Sequence, residues 1–189
     1  MTKIRLGSLD DLDNCLELAR SFTILAEVQT PPTGGFFLHP PTLCELELMV
    51  FEKRLLVAEK DEELLGFAYA YSKSSKLWEL LLSEIETNIV WDGEDLLLRE
   101  DLVFLDKIVV SNKGRRYRAA AELYYHICRQ NPVATLVGAL LEKPILNIRV
   151  QRMMKAMGFK RVGSFFTDNF RDINGYQIGI HVRKLRGWN

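Results

Sequence analysis

The segment from Leu105 to Gln130 constrains the fold of this chain more than any other. It reads LDKIVVSNKGRRYRAAAELYYHICRQ. Its first part is apolar and β-branched, interrupted only by Asp106 and Lys107, which predicts a buried strand. Residues 111–114 favour turns, and the apolar residues that follow recur at the spacing of one buried helical face. A strand that leads through a tight turn into a helix is typical of a mixed α/β or α+β domain.

The turn before the predicted helix carries a cluster of cations. Arg115, Arg116 and Arg118 lie where the helix begins. The first backbone N–H groups of a helix have no partner inside it, and the helix dipole is positive at that end. Together with the cations, these groups favour the binding of a phosphate. A solvated cationic face is the alternative interpretation of the same cluster.

Composition excludes several functional classes. The 25 Lys and Arg residues balance the 25 Asp and Glu residues, which disfavours a nucleic-acid partner, since dedicated binders carry a basic domain. Cys15, Cys44 and Cys128 match no metal-ligand spacing, and we interpret Cys15 and Cys128 as reduced core residues. We find neither an apolar run of about 18 residues nor a signal-peptide core. We therefore expect a soluble, cytoplasmic protein without a metal site or a membrane partner.

The remaining periodicities predict one domain over residues 1–189, in the order βαα-βββ-αβ-αββ. The predicted strands cover residues 3–6, 54–59, 64–71, 105–110, 134–141, 159–166 and 175–184. The predicted helices begin after Ser8, after Thr42, near Leu77, near Arg115 and near Leu146. The Pro-rich stretch QTPPTGGFFLHPPT predicts an irregular loop. That loop is either a lid over a binding site or a surface loop whose phenylalanines enter the core.

Residues 73–102 form a block of about thirty residues between predicted strands, which is longer than the usual connection of two to six residues. Residues 77–85 of this block predict a helix, and the following TNIVWDGEDLLLRED fits either a strand or a loop. We interpret the block as an insertion that serves acceptor binding or the formation of a homodimer.

Two segments together resemble the GNAT superfamily of N-acetyltransferases. In that family the turn before the central helix reads Arg/Gln-x-x-Gly-x-Gly/Ala, and Arg115 and Ala120 match it, whereas Arg118 replaces the central glycine. The second segment, from Asn147 to Gly158-Phe159, matches the family's Asn, helix, Gly-Phe signature with the same spacing of eleven residues. Either motif alone is weak evidence. Both motifs occur in the order that the family shows and beside the matching strands, which strengthens the resemblance.

The resemblance implies a single GNAT-like domain with a mixed, mostly antiparallel sheet flanked by helices. It also implies an acyltransferase that takes an acetyl group from acetyl coenzyme A and passes it to an amine. Arg118 then either turns outward and adds a cation to the phosphates, or obstructs them. The residues that the resemblance places against coenzyme A are Ile108, Val109, Val110, Lys113, Gly114, Arg115, Arg116, Tyr117, Arg118, Ala119, Ala120 and Asn147.

Two carboxylates are candidate catalytic residues. Glu142 lies five residues before Asn147, where several members of the family have a glutamate that acts as general base through water. Its ordinary interpretation is a solvated carboxylate at a strand end. Asp106 is the second candidate, because an acidic side chain in an apolar strand is costly unless it is paired or functional. Asn147 has two interpretations. It only caps the next helix, or it caps the helix and also contacts the pantetheine arm of coenzyme A.

The position at which the family often has a proton-donating tyrosine is Met154 in this chain. We therefore assign no general acid, and a thiol with a pKa of about 8.5 can depart as the thiolate. His39, His126 and His181 form no triad by spacing. The departures at Arg118 and Met154 leave a second hypothesis open, a non-catalytic GNAT-like module that binds an acyl-coenzyme A or a protein. A phosphate or nucleic-acid binder is the third hypothesis, and the neutral net charge disfavours it.

Overall fold

A central sheet of seven strands organises the molecule. The computed structural model describes residues 2–23, 40–79, 89–91, 93–111, 116–143, 146–167 and 175–185. The strands of the central sheet lie in the spatial order β1-β2-β3-β6-β7-β9-β8, and all neighbours are antiparallel except β6 and β7. The strands are β1 (Lys3–Leu6), β2 (Leu55–Lys60), β3 (Glu63–Ser72), β4 (Val90–Trp91), β5 (Glu94–Asp95), β6 (Leu102–Val110), β7 (Thr135–Lys143), β8 (Lys160–Thr167) and β9 (Tyr176–Lys184).

Helices flank this sheet. They are α1 (Leu12–Arg20), α2 (Leu43–Phe51), α3 (Arg116–Gln130) and α4 (Ile148–Ala156). One hydrophobic cluster joins α1 and α2 to one face of the sheet, and a second joins α3 and α4 to the other face. The mixed, mostly antiparallel sheet flanked by helices confirms the predicted fold class. No helix in these described ranges is long and apolar enough to cross a membrane.

Local sequence signals explain several element boundaries. Thr42 and Glu45 form the predicted capping box, in which Glu45 N donates to Thr42 Oγ1 at 3.2 Å and Thr42 N donates to Glu45 Oε2 at 2.6 Å. This reciprocal pair satisfies two backbone donors and starts α2 at Leu43. Gly158 follows α4 with φ +82°, as expected of a residue that ends a helix in the left-handed region.

The connection between β3 and β6 contains a small hairpin. Residues 76–79 are helical, residues 80–88 lie outside the described residues, and β4 pairs with β5. Ile89 and Leu96 are both buried, and Leu96 N donates to the carbonyl oxygen of Ile89 at 2.7 Å. The hairpin thus resolves the strand-or-loop ambiguity of this stretch. Acceptor binding and dimerisation by the block 73–102 stay predictions.

Some boundaries differ from the predictions. A 3-10 turn (Leu9–Asp11) precedes α1, so the first α-helix begins at Leu12 rather than directly after Ser8. Strand β6 begins at Leu102, three residues before the predicted start at Leu105. The predicted lid QTPPTGGFFLHPPT lies outside the described residues up to His39. Cys15 and Cys128 are free and buried, which confirms them as reduced core residues.

Candidate functional site

The parallel strands β6 and β7 separate soon after they begin. They pair only where Leu102, Val103 and Phe104 face Thr135, Leu136 and Val137. Beyond Phe104 and Val137, the described residues of the two strands form no further pairs with each other. Along a strand, alternate residues direct their backbone N–H and C=O groups to each side. The facing edges of β6 and β7 therefore offer backbone donors and acceptors to a ligand lying between them.

A β-bulge lies on the β6 side of this gap. On β3, Tyr69 faces Lys107 and Ala70 faces Leu105, so Asp106 is the extra residue on β6. The extra residue of a bulge leaves the regular hydrogen-bond ladder, and bulges are frequent beside active sites. The Asp106 carboxylate forms an ion pair with the ammonium group of Lys107. The pairing interpretation of Asp106 is therefore confirmed, with the next residue as its partner.

A second bulge lies at the end of β7. Leu141 faces Ile178 and Lys143 faces Gln177, so Glu142 is the extra residue on β7. The Arg161 guanidinium holds both carboxylate oxygens of Glu142, with Nε to Oε1 at 2.6 Å and Nη2 to Oε2 at 2.8 Å. Because these hydrogen bonds favour the charged form, Arg161 lowers the pKa of the Glu142 carboxyl below its ordinary value. Glu142 is thus a paired carboxylate, ionised at neutral pH, rather than a freely solvated one.

Strand β9 makes room for the Glu142 side chain. A Cβ atom at Gly179 would lie 2.2 Å from Glu142 Oε1. Only a glycine at this position lets the carboxylate lie over β9 in its present place. His181, two residues further along β9, is buried, and burial lowers the pKa of its imidazole. We therefore expect a neutral His181 beside the Glu142–Arg161 pair at neutral pH.

The start of α3 shows where Arg118 is directed. Arg118 Nε donates to Glu122 Oε1 at 2.7 Å, and the Arg118 side chain is 51% exposed. It runs along the surface of the helix to a residue one turn further on. The next two residues, Ala119 and Ala120, are buried, and Ala119 packs in the hydrophobic cluster between α3 and the sheet. Lys113, Gly114 and Arg115 lie outside the described residues. The helix begins at Arg116, and Tyr117 is its second residue.

The start of α4 lies beside the end of β7. Asn147 is buried, and its Oδ1 accepts a hydrogen bond from Val150 N at 3.3 Å, which caps the helix. Asn147 N in turn donates to the carbonyl oxygen of Leu141 at 3.3 Å. The capping role of Asn147 is confirmed. The helix start is thus joined to the strand that carries Glu142.

The remaining predicted residues lie on β6 beyond the bulge. Val109 is buried in the cluster on the α1 and α2 face, whereas Ile108 and Val110 are partly buried against the α3 and α4 face. Two residues of the site, Arg161 and Gly179, are not predicted from the sequence. No sequence signal identifies them, because their relation to Glu142 depends on the register of three strands.

Comparisons with known proteins agree with this geometry. No family model matches the sequence, and no curated protein matches it. Solved structures do match over nearly the whole chain. An acetyltransferase of the GNAT family from Streptococcus agalactiae superposes with a TM-score of 0.66 at 14% identity, covering 99% of this chain and 96% of that one.

Two further structures extend the likeness. NAA60 of Arabidopsis thaliana, solved in complex with a bisubstrate analogue, gives a TM-score of 0.63 at 17% identity and covers 100% of both chains. The ribosomal-protein-S18-alanine N-acetyltransferase of Escherichia coli gives 0.61 at 13% identity, covering 100% of this chain and 97% of that one. The chain therefore has the fold of the GNAT acetyltransferases.

Proposed function

We propose that this protein is an N-acetyltransferase that moves an acetyl group from acetyl coenzyme A to an amine acceptor by direct attack. The observation that carries the proposal is the gap between β6 and β7, with the bulge residue Asp106 on one side and Glu142 at the end of the other. Both candidate carboxylates are bulge residues of the strands that border this gap, and the second sequence motif begins at Asn147, whose N donates to the carbonyl oxygen of Leu141 on β7.

The residues beside the gap fit the donor. Coenzyme A has a pyrophosphate and a pantetheine arm with two amide groups. The backbone N–H groups at the start of α3 suit the pyrophosphate, and the facing strand edges offer hydrogen bonds to the amides. Ile108 and Val110 supply partly apolar surface beside the arm. The buried Ala119 and Ala120 bring the start of α3 close to the sheet without bulky side chains.

In the proposed reaction, the acceptor amine loses a proton toward Glu142 through bridging water. The neutral amine nitrogen then attacks the thioester carbonyl, so that a C–N bond forms and the C–S bond breaks. The nitrogen releases its second proton to solvent water as the amide forms. A backbone N–H group at the β6 bulge polarises the carbonyl oxygen. The sulfur departs as a thiolate, since the buried Met154 donates no proton.

The pair with Arg161 has two opposite effects on Glu142 as a base. It keeps the carboxylate ionised at neutral pH and fixes its position, both of which a base requires. It also lowers the pKa of Glu142, which weakens its affinity for the proton. We therefore expect a contribution near the lower end of the range for general-base catalysis, about 100-fold in rate.

Thiol release from acetyl coenzyme A tests the proposal. The panel of acceptors contains a peptide with an N-terminal alanine, a peptide lysine, a polyamine and a small primary amine. We expect amine-dependent thiol release with at least one acceptor, together with the acetylated product by mass spectrometry. Binding of acetyl coenzyme A without turnover on any acceptor would favour the non-catalytic module. Absence of binding at sub-millimolar concentration would contradict both.

A further inference from the structure

We propose that the Met154 side chain closes the acyl end of the gap between β6 and β7 and restricts the donor to short acyl groups. The inference rests on the proposed function and specifies its donor class. It makes Met154 a residue that determines specificity rather than merely the site of a missing acid.

The gap closes at a defined level in the sheet. Val137 is the last residue of β7 that pairs with β6, and Gly138 follows it directly. A Cβ atom at Gly138 would lie 3.8 Å from the carbonyl oxygen of Leu105, the residue before the bulge. Gly138 and Asp106 thus lie at the closed end of the gap, one on each strand.

Met154 reaches this closed end from α4. Its Cε lies 2.5 Å from the position that a Gly138 Cβ would take, so the terminal methyl group rests against the backbone of β7. Phe159 Cε1 lies 4.0 Å from the same position, and Met154 is only 4% exposed. The missing side chain on the strand and the long side chain from the helix are complementary. Together they fill the space beside the closed end, on the side of α4, with apolar atoms.

A donor held at the start of α3 would bring its acyl group to this level. Strands rise about 3.3 Å per residue, so Asp106 lies roughly 13 Å along β6 from Val110, four residues away. An extended arm that follows β6 from the helix start therefore approaches the bulge. There, an acyl group has the paired strands ahead of it and Met154 beside it. An acetyl group adds one methyl, whereas each further methylene must displace the methionine.

Shortening Met154 should therefore admit longer donors. One methylene in an apolar pocket changes substrate discrimination by about tenfold or more. The measured quantity is the ratio of kcat/KM for butyryl coenzyme A to that for acetyl coenzyme A, with propionyl coenzyme A as the intermediate donor. The variants are Met154→Ala and Met154→Val. The matched control is Met153→Ala, the same chemical change on the neighbouring residue of α4, which is only partly buried.

We expect the butyryl-to-acetyl ratio to rise by at least about tenfold in Met154→Ala, to rise less in Met154→Val, and to stay unchanged in Met153→Ala. An unchanged ratio in both Met154 variants would overturn the inference, as would an equal rise in Met153→Ala. If Met154→Ala does not fold, Met154→Val decides in the same direction. A wild-type protein that turns over no acyl coenzyme A refutes the proposed function itself, whereas an active wild type with unchanged ratios refutes only the role of Met154.

Discussion

The two strands that border the gap each place an acidic residue at a bulge, yet the two acids are held differently. Asp106 on β6 pairs with Lys107, its neighbour in the sequence. Glu142 on β7 pairs with Arg161 on β8, 19 residues away, and Arg161 holds both of its carboxylate oxygens. The first pair needs only two adjacent side chains, whereas the second needs three strands in register.

The two ion pairs therefore have different consequences. The charge of Asp106 is neutralised, whereas the carboxylate of Glu142 is also held in a fixed position. A salt bridge between adjacent residues offsets the cost of placing a carboxylate in an apolar strand, but it does not fix the carboxylate relative to other elements. A bidentate arginine fixes both oxygens in one plane. General-base catalysis depends on such geometry. We therefore infer that Glu142 is the stronger candidate base and that the charge of Asp106 is structural.

The largest expected effect comes from removing the Glu142 carboxylate, and the matched change at Asp106 serves as its control. Glu142→Gln should reduce kcat for thiol release by about 100-fold, because the base is lost. Asp106→Asn, the matched change on the other bulge, should reduce kcat far less. The measurement is thiol release at saturating acetyl coenzyme A and acceptor, with folding checked by circular dichroism. A larger loss in Asp106→Asn than in Glu142→Gln would reverse the assignment.

A pair of glycine substitutions tests position rather than charge. Gly179→Ala would place a Cβ 2.2 Å from Glu142 Oε1, the end of a flexible side chain, so we expect the carboxylate to move. We expect kcat to fall by about tenfold, less than the roughly 100-fold that a misplacement of 1 Å can cost. Gly66→Ala, beside β6, would place a Cβ 2.4 Å from the backbone oxygen of Val109, which cannot move alone.

The expected readouts of these two variants therefore differ. Gly66→Ala should lower the free energy of unfolding by about 1–3 kcal/mol, and Gly179→Ala should lower it less. Urea denaturation measures the stability and thiol release measures kcat. Full activity in a folded Gly179→Ala variant would show that the position of Glu142 is unimportant.

The pH dependence of the rate gives a smaller, directional test. Arg161 lowers the pKa of Glu142, and the reaction needs the ionised carboxylate, so the wild-type rate falls only when the pH drops through that lowered pKa. In Arg161→Gln the pKa of Glu142 should rise back toward its ordinary value, because the hydrogen bonds that favour the charged form are lost. The acid limb of kcat/KM then moves to higher pH. Lys107→Gln, the matched change beside Asp106, should leave the limb in place. An identical limb in wild type and Arg161→Gln would contradict the role of the pair.

The smallest expected effect concerns Arg118. It is half exposed and pairs with Glu122 one helical turn away, and such pairs contribute about 0.3–0.5 kcal/mol. Arg118→Ala should therefore change the free energy of unfolding by less than about 0.5 kcal/mol. Calorimetry of acetyl coenzyme A binding to the same variant then tests its two interpretations. Weaker binding supports a cation that assists the phosphates, and tighter binding supports an obstruction.

The sequence predicts those parts of the molecule that short-range signals control. The Thr42 and Glu45 pair locates α2, Gly158 locates the end of α4, and the two motifs identify the fold. The bulges at Asp106 and Glu142 are not predictable in this way, because a bulge is a mismatch between the registers of two strands. For the same reason, the sequence does not predict the contact between Arg161 and Glu142, because the two residues meet only when β7, β9 and β8 have paired.

Isothermal titration calorimetry with acetyl coenzyme A tests the central claim that the gap between β6 and β7 holds an acyl coenzyme A. The matched control ligand is ATP, which has the phosphates but no pantetheine arm. We predict saturable binding of acetyl coenzyme A with a Kd below about 1 mM, corresponding to at least about 4 kcal/mol of binding free energy, and much weaker binding of ATP. Equal affinity for the two ligands, or no binding of acetyl coenzyme A, would contradict the claim.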